Sequence, residues 1–220
     1  MAGGRPSRIT REQIARTALA IIDRDGLDTL SMRVLADELG VGKMTLYGHV
    51  RDKEELLAAV VDVAVEDAGP LNPASGAWQD RFRALAENAY ENLNRHPALV
   101  QLRLRAPVVR PEALRFGEAG MAILEDAGFE PAEAARAFRL LFTFTFGCAG
   151  LSPESDFERA RRATAVAVAG LPPDEYPRLT SASAEFAHAV GGREQFDYGL
   201  ERIIDGLESR LRTVDGGGPG

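Results

Sequence analysis

The sequence predicts an all-α protein, and three observations carry that prediction. Strand-like alternation is scarce, helix caps followed by glycine or proline stops recur at short intervals, and apolar residues repeat at the helical spacing i, i+4, i+7, i+8. The 220 residues, 45% of them hydrophobic, allow one large domain or a small domain joined to a larger one.

The elements follow in order. Residues 1–8, rich in Gly, Arg, Pro and Ser, read as a mobile basic arm. Thr10 and Gln13 form a capping box, with Ile9 and Ile14 at the spacing of a hydrophobic staple. Ile14, Ala18, Ile21 and Ile22 then make one apolar stripe that stops at Gly26. Ser31 caps a second, short helix bearing Val34, Leu35 and Leu39, closed by Gly40. A third helix runs from near Gly42 to about His49. Asp52, with Glu55 three residues on, opens a fourth that reaches about Asp67. Beyond breaks at Gly69-Pro70 and Asn72-Pro73, helices are predicted at about 76–95, 97–105, 111–127 and 131–149. Residues 150–157 read as a loop and 158–170 as a helix ending at Gly170. After Leu171-Pro172-Pro173 comes a helix near 175–190, and the last spans about 194–212 with Phe196, Leu200, Ile203, Ile204, Leu207 and Leu211 on one face. The expected organisation is a domain at 1–53, a second at 54–213 and a flexible tail at 214–220.

Composition closes several functional classes. Cys148 is alone, which excludes an intramolecular disulfide framework and a cysteine-rich zinc site. His49, His96 and His188 supply a metal centre poorly, so neither metal nor cofactor is expected. No apolar run approaches the roughly 20 residues that span a bilayer, and no signal-type apolar stretch follows MAGGRPSR, so a cytoplasmic protein without a membrane partner is expected. There is no Walker loop, dinucleotide-binding glycine fingerprint, HExxH or GxSxG, and Cys148 sits in a small apolar segment without an evident histidine partner. An enzyme is not expected. The net charge of −7 divides unevenly, with +2 on residues 1–53 and −9 on the rest, as in a basic module attached to an acidic body.

The informative stretch is 31–53, SMRVLADELGVGKMTLYGHVRDK. Two short helices meet at Leu39-Gly40-Val41, where Gly40 suits a left-handed residue. This is the helix-turn-helix arrangement that places its second helix in the DNA major groove. Val41, Leu46 and Val50 join Leu35 and Leu39 in a small core, leaving Lys43, Met44, Thr45, Tyr47 and His49 to face outward. Lysine donates to guanine acceptors, threonine touches a base or phosphate, and methionine meets a thymine methyl. Tyr47 and His49 can donate to phosphate oxygens, and Lys53 adds a cation near the amides that open the next helix.

Residues 9–57 resemble the DNA-binding domain of the TetR family of bacterial transcriptional repressors. The likeness runs without insertion through the Ile14–Asp23 helix, Gly26-Leu27, Thr29-Leu30-Ser31, Leu35-Ala36, Leu39-Gly40-Val41, Thr45-Leu46-Tyr47, His49-Val50 and Lys53 with Leu56-Leu57. The resemblance implies that Thr45, Tyr47, His49 and Lys53 contact the phosphate backbone or groove, and that Lys43 and Met44, with Arg33, read bases. The chain departs from the family at Met32, where a small hydroxyl residue is common, and at Gly48, which replaces a bulkier residue.

Further on, Phe196-Asp197-Tyr198-Gly199-Leu200-Glu201 and Ile203-Ile204-Asp205-Gly206-Leu207 resemble the last helix of the branch that includes the tetracycline repressors. In that family this helix and an earlier one, here about 131–149, pair with their mates in a second subunit, which implies a homodimer. Phe138, Leu141, Phe142 and Thr145 recur at helical spacing on the earlier helix, and packing inside the monomer explains both stripes equally well. A small-molecule pocket is expected in the larger domain. Its candidate lining is Phe82, Tyr90, His96, Leu102, Arg105, Phe116, Met121, Phe138, Phe142 and Phe146, each of which also fits an ordinary core or surface position. The implied function is a ligand-responsive repressor that binds a palindromic operator in double-stranded DNA, the arm at Arg5–Arg8 adding contacts. The alternatives are a corepressor-dependent or activating regulator, or a ligand- or partner-binding module whose helix-turn-helix no longer serves DNA.

Overall fold

The computed structural model describes residues 9–68, 75–105, 111–151 and 156–215, without the side chains of 105, 111–113 and 213–215. All regular structure among the described residues is helical. The expectations for the basic arm, for the breaks near 69–73 and for residues 216–220 lie outside the described residues. Contacts divide the chain into two compact units: one formed by residues up to 69 together with 98–114, the other by 70–97 together with 115–220.

In the first unit α1 (Arg11–Asp25) starts at the capping box expected from the sequence. The Thr10 hydroxyl accepts the Gln13 N–H at 3.1 Å, and the Gln13 side chain accepts the Thr10 N–H at 2.9 Å. The helix buries Ile14, Ala15, Ala18, Leu19, Ile21 and Ile22. A 3₁₀ turn at Leu27–Thr29 leads into α2 (Met32–Leu39) and α3 (Lys43–Tyr47), followed by α4 (Lys53–Asp67). α1 packs against both α2 and α4. α4 is buried on more than one side, at Leu56, Ala58, Ala59, Val60, Val63 and Ala64. Arg16 joins the far end of α4 at Asp67 (2.9 Å) and Arg11 joins its beginning at Glu55 (3.2 Å). The packing thus puts α4, which the sequence assigned to the larger domain, in the same unit as α1. α6 (Ala98–Arg105) packs against the 3₁₀ turn in that unit as well.

The second unit contains α5 (Trp78–Arg95), most of α7 (Pro111–Asp126), α8 (Pro131–Leu151), α9 (Phe157–Ala169), α10 (Pro177–Ser181), α11 (Ser183–His188) and α12 (Gly192–Asp215). α5, α8 and α12 pack on one another, and α9, α10 and α11 form a smaller cluster. Phe196 of α12 lies between two rings, stacked on Tyr90 of α5 at 4.1 Å and on Phe144 of α8 at 5.6 Å. Such a stack adds about 0.5–1.5 kcal/mol per pair beyond the area it buries. Polar links fix the register of α5 against α12: Gln79 to Glu208, Arg83 to Glu201 (2.8 Å), and Arg193 to both Glu87 (2.9 Å) and Glu91 (3.2 Å). Pairs that keep this much contact with solvent contribute about 1 kcal/mol or less each, so they choose a register rather than hold the fold.

From α8 onward, three boundaries differ from the sequence expectation by more than one residue. The helix expected near 175–190 is two short helices, because Ala182 leaves the helical region at φ −119°, ψ 31°. α8 continues through Leu151, into the expected loop at 150–157. α12 runs from Gly192 to Asp215 instead of 194–212, its first turn held by Arg193, which bonds Asp197 one turn on as well as α5. The stripes offered for pairing between subunits are largely covered inside the subunit itself: Phe138, Leu141 and Thr145 of α8 and Phe196, Leu200, Ile204 and Leu207 of α12 are buried.

Two expectations follow from this packing. A Cβ at Gly199 would collide with the Phe144 ring, so Gly199→Ala should destabilise by about 1–2 kcal/mol, overpacking outweighing alanine's better helix propensity. Urea unfolding reads this directly. Burial pushes the Cys148 thiol up to about 11, leaving only about one part in a thousand as reactive thiolate at pH 8. Iodoacetamide should therefore label native Cys148 far more slowly than the urea-unfolded chain, with the native rate still climbing through pH 9–10.

Candidate functional site

The N-terminal unit presents one short helix whose placement is set by its neighbours. Ser31, in extended backbone, accepts the Val34 N–H with its hydroxyl (3.2 Å) and so starts α2. α2 buries Leu35 and Ala36, then ends at Gly40 with φ 65° and ψ 30°. Two backbone bonds close that end: Gly40 N–H to the Asp37 carbonyl (3.2 Å) and Val41 N–H to the Ala36 carbonyl (3.0 Å). This is a complete Schellman motif, and its left-handed residue favours glycine because a Cβ is strained there. The turn redirects the chain within three residues into α3, which spans Lys43–Tyr47. The helix is shorter than the stretch to His49 expected from the sequence. Turn bonds carry the chain on, from His49 and Val50 N–H to the Leu46 carbonyl, both 2.9 Å.

Burial along α3 is one-sided. Leu46 and Val50 are fully buried with Leu35, whereas Val41 and Leu39 are only half-buried. Lys43, Met44, Thr45 and Tyr47 are all exposed, and His49 is half-buried. Met44 is 83% exposed and Tyr47 46%. A methionine this open, between a lysine and a threonine, forms the apolar centre of a polar face. Arg33 of α2 is also open and lies 3.8 Å from Asp37 of its own helix. The structure thus brings Lys43, Met44, Thr45 and Tyr47 together on one exposed turn, with His49 at its rim.

Lys53 behaves differently. Its ammonium donates to the Leu30 carbonyl at 2.7 Å, in a part-buried position. Around it the start of α4 is tightly bonded: Asp52 accepts the Glu55 N–H (2.8 Å), and Glu55 accepts both the Arg51 N–H (2.8 Å) and its Nε–H (3.0 Å). The Arg51 backbone bond, then the Arg51 side-chain bond, hold the Glu55 carboxyl below the usual carboxylate range. The bond from Lys53 spans 23 residues of chain, and no local pattern signals it.

Of the ten residues expected to line a ligand pocket, eight lie in the second unit, and four of those form one row. Phe82 and Tyr90 are buried in the second unit, Tyr90 in the stack with Phe196. Phe116, Phe138, Phe142 and Phe146 do form a continuous row along α7 and α8, with ring separations of 5.5, 6.2 and 4.3 Å, and Arg139 lies 4.8 Å over Phe142. Gly117 and Gly120 of α7 give the Phe138 ring its space. Met121 is half-buried on the same helix. His96 closes α5, its N–H bonded to the Asn92 carbonyl at 2.9 Å. Leu102 is buried in the other unit, and the Arg105 side chain lies outside the described residues. Among the described side chains, none of the ten lines a cavity of about 690 Å³ that opens among α9, α11 and α12, whose walls include Arg161, Arg162, Ala165, Ala187, His188 and Tyr198. Sequence reasoning missed these positions because the alanine-rich stretches 160–169 and 182–189 mark helices without marking a face. Among the described residues, no group of three His, Cys, Asp or Glu side chains could hold a metal ion.

Known proteins share this arrangement along nearly the whole chain. The profile described as bacterial regulatory proteins, tetR family, matches residues 14–60, and that of the tetracyclin repressor-like C-terminal domain matches 70–211. The HTH-type transcriptional repressor DrrR1 of Streptomyces coeruleorubidus is 30% identical over 222 aligned positions, covering 94% of this chain and 82% of its own. The tetracycline repressor protein class D of Escherichia coli is 28% identical, covering 94% and 93%. Among solved structures, the Streptomyces coelicolor TetR family protein ActR in complex with actinorhodin superposes with a TM-score of 0.78 at 28% identity, covering 91% of this chain and 96% of that one. With one profile spanning the helix-turn-helix and the other most of the remaining chain, this protein belongs to the TetR family of bacterial regulatory proteins.

Proposed function

We propose that the chain is a ligand-responsive repressor that binds a palindromic operator in duplex DNA as a homodimer in the cytoplasm. The observation that carries this reading is the exposed turn Lys43–Tyr47, anchored from behind by buried Leu46 and Val50. Lys43 donates to guanine O6 and N7, Met44 meets a thymine methyl, and Thr45 contacts base or phosphate. Tyr47 and His49 reach phosphates at the edge of the groove, and Arg33 approaches from α2. A helix-turn-helix that had abandoned DNA would have no reason to keep a large apolar side chain open at the centre of a polar face.

One five-residue helix makes too few base contacts to find an operator in a genome, and two-fold symmetry doubles them. The outer faces of α8 and α12 suit such pairing. Leu140 and Leu151 of α8 are exposed there, and no heavy atom lies within 4 Å of a Cβ built at Gly147 or Gly206. Two such glycines on outward faces allow backbones of two subunits to approach closely. The crystal structure of ActR with actinorhodin supports a small organic effector for this chain too, with the aromatic row from Phe116 to Phe146 as the candidate wall. The effector acts by favouring a spacing of the two recognition helices that does not fit one DNA face, and its leverage is its affinity difference between the two spacings.

Selection from random duplexes near 150 mM salt tests the reading, since salt suppresses binding that depends on phosphates alone. The expected product is a palindrome with half-site centres about 10–10.5 base pairs, or a multiple, apart. Lys43→Ala should cost about 1–3 kcal/mol and relax preference at one base pair per half-site, whereas Tyr47→Ala should weaken all duplexes alike. No enriched palindrome would overturn the reading. For the dimer, Gly206→Ala gains about 1 kcal/mol of helix propensity in the lone protomer, yet should raise the dimer dissociation constant about tenfold by sedimentation, an interfacial cost near 1.4 kcal/mol.

A further inference from the structure

The resemblance to the family assigns backbone or groove contacts to Thr45, Tyr47, His49 and Lys53 but gives no part to Arg11 or Arg51. We propose that Arg51 and Arg11, held together on the Glu55 carboxylate, form a further phosphate-binding fork that grips the DNA backbone beside the recognition helix. The proposal rests on the operator-binding reading and extends its contact surface from α3 to the beginnings of α1 and α4.

Glu55 is the hub of the arrangement. Its Oε1 accepts from Arg11 Nη2 at 3.2 Å, and its Oε2 accepts both the N–H and the Nε–H of Arg51, at 2.8 and 3.0 Å. One carboxylate thereby joins the first residue of α1 to the link between α3 and α4. Exposure is graded across the cluster: the Glu55 side chain is 19% exposed, Arg11 45% and Arg51 85%. The acid lies behind the two arginines, so a polyanion approaching this face meets cations first. Among the described residues, Nη1 and Nη2 of Arg51 make no hydrogen bond, and neither do Nε and Nη1 of Arg11. A guanidinium fixed through Nε keeps its terminal N–H groups as a planar fork, the shape that takes a phosphate in two parallel bonds. The place is suitable as well. Val50, whose N–H bonds the Leu46 carbonyl of α3, directly precedes Arg51, and Lys53 follows two residues on. Charge supplies a reason for the pairing. α4 opens with Asp52, Glu54 and Glu55, acids that repel a phosphate, and two arginines against Glu55 leave that cluster cationic. An ion pair as open as Arg51–Glu55 adds little to stability, so stability alone does not account for three bonds converging on one carboxylate.

The full-length chain would be compared with Arg51→Gln, Arg11→Gln and Arg51→Lys over a salt series. Two duplexes of equal length serve, one selected by the wild-type chain and one scrambled. Each Gln variant should lose about three- to tenfold on both duplexes alike and lower the salt slope by about 0.9 per bound protomer. Arg51→Lys keeps the charge and should restore the slope with most of the affinity. Glu55 is a positioning residue in this scheme, and a double-mutant cycle reads its part. Arg51→Gln should cost about fivefold in the wild-type background and under about twofold in a Glu55→Gln background, where the arginine is no longer held by charge. Thermal unfolding without DNA should move by no more than about 2 °C in the Gln variants. Unchanged affinity and slope in both overturn the fork. A loss confined to the selected duplex with an unchanged slope overturns it too, in favour of an ion pair that only sets the recognition helix. Equal costs of Arg51→Gln in the two backgrounds overturn the positioning role of Glu55. If selection yields no preferred duplex, the operator-binding reading fails, and the slopes on the scrambled duplex still decide the fork.

Discussion

A helix of five residues cannot hold itself together in water, because nucleation costs more than one turn returns. That constraint governs the N-terminal unit. α3 has no side-chain cap and a single fully buried residue, Leu46. It persists because the Schellman turn before it and the bonds to the Leu46 carbonyl after it fix both ends. α2 packs on α3, and α1, which packs on both α2 and α4, ties that pair into the rest of the unit and so gives those two ends a fixed frame. The outer face is then free to be chosen for chemistry alone, which is why a methionine can stand open beside a lysine there.

The second unit solves a different problem with different means. Its long helices α5, α8 and α12 are stable partners, so packing decides register rather than existence. The Tyr90–Phe196–Phe144 stack fixes it at the core and the arginines of α5 and α12 fix it at the edge. Glycines set how close the layers come. Gly120 lies beneath Phe138 and Gly199 beneath Phe144, so two aromatic rings occupy the space that methyl groups would fill.

Signals carried by neighbours in sequence were legible, and signals carried across the chain were not. The Thr10 capping box, the Ser31 cap, the left-handed Gly40 and the Asp52 cap each involve residues three to five apart, and each forms as read. The outward set on α3 was readable too, because Leu46 and Val50 betray the inward side. Three things were hidden. Periodicity identifies an apolar stripe but not its partner, so the stripes of α8 and α12 fitted a subunit interface as well as the interior where most of their residues lie. Side-chain type alone marks the pocket candidates, and type does not separate a ring stacked in a core, such as Tyr90, from one that lines a cavity. The bond from Lys53 to Leu30 depends on how α4 returns past the start of α2, which only the folded chain reveals.

The membership of α6 has a consequence for how this protein can be cut or recombined. The chain leaves the N-terminal unit after residue 69, returns to it at 98 and leaves again after 114. A fragment ending at the close of α4 would carry the whole helix-turn-helix but lack a helix that packs on its 3₁₀ turn. The recognition unit is therefore not a bead on a string. Grafting a new sensor onto it by exchanging everything beyond α4 would also exchange part of the platform that holds α3, so a chimera keeps its operator only if the incoming sensor brings a segment able to fill the place of α6.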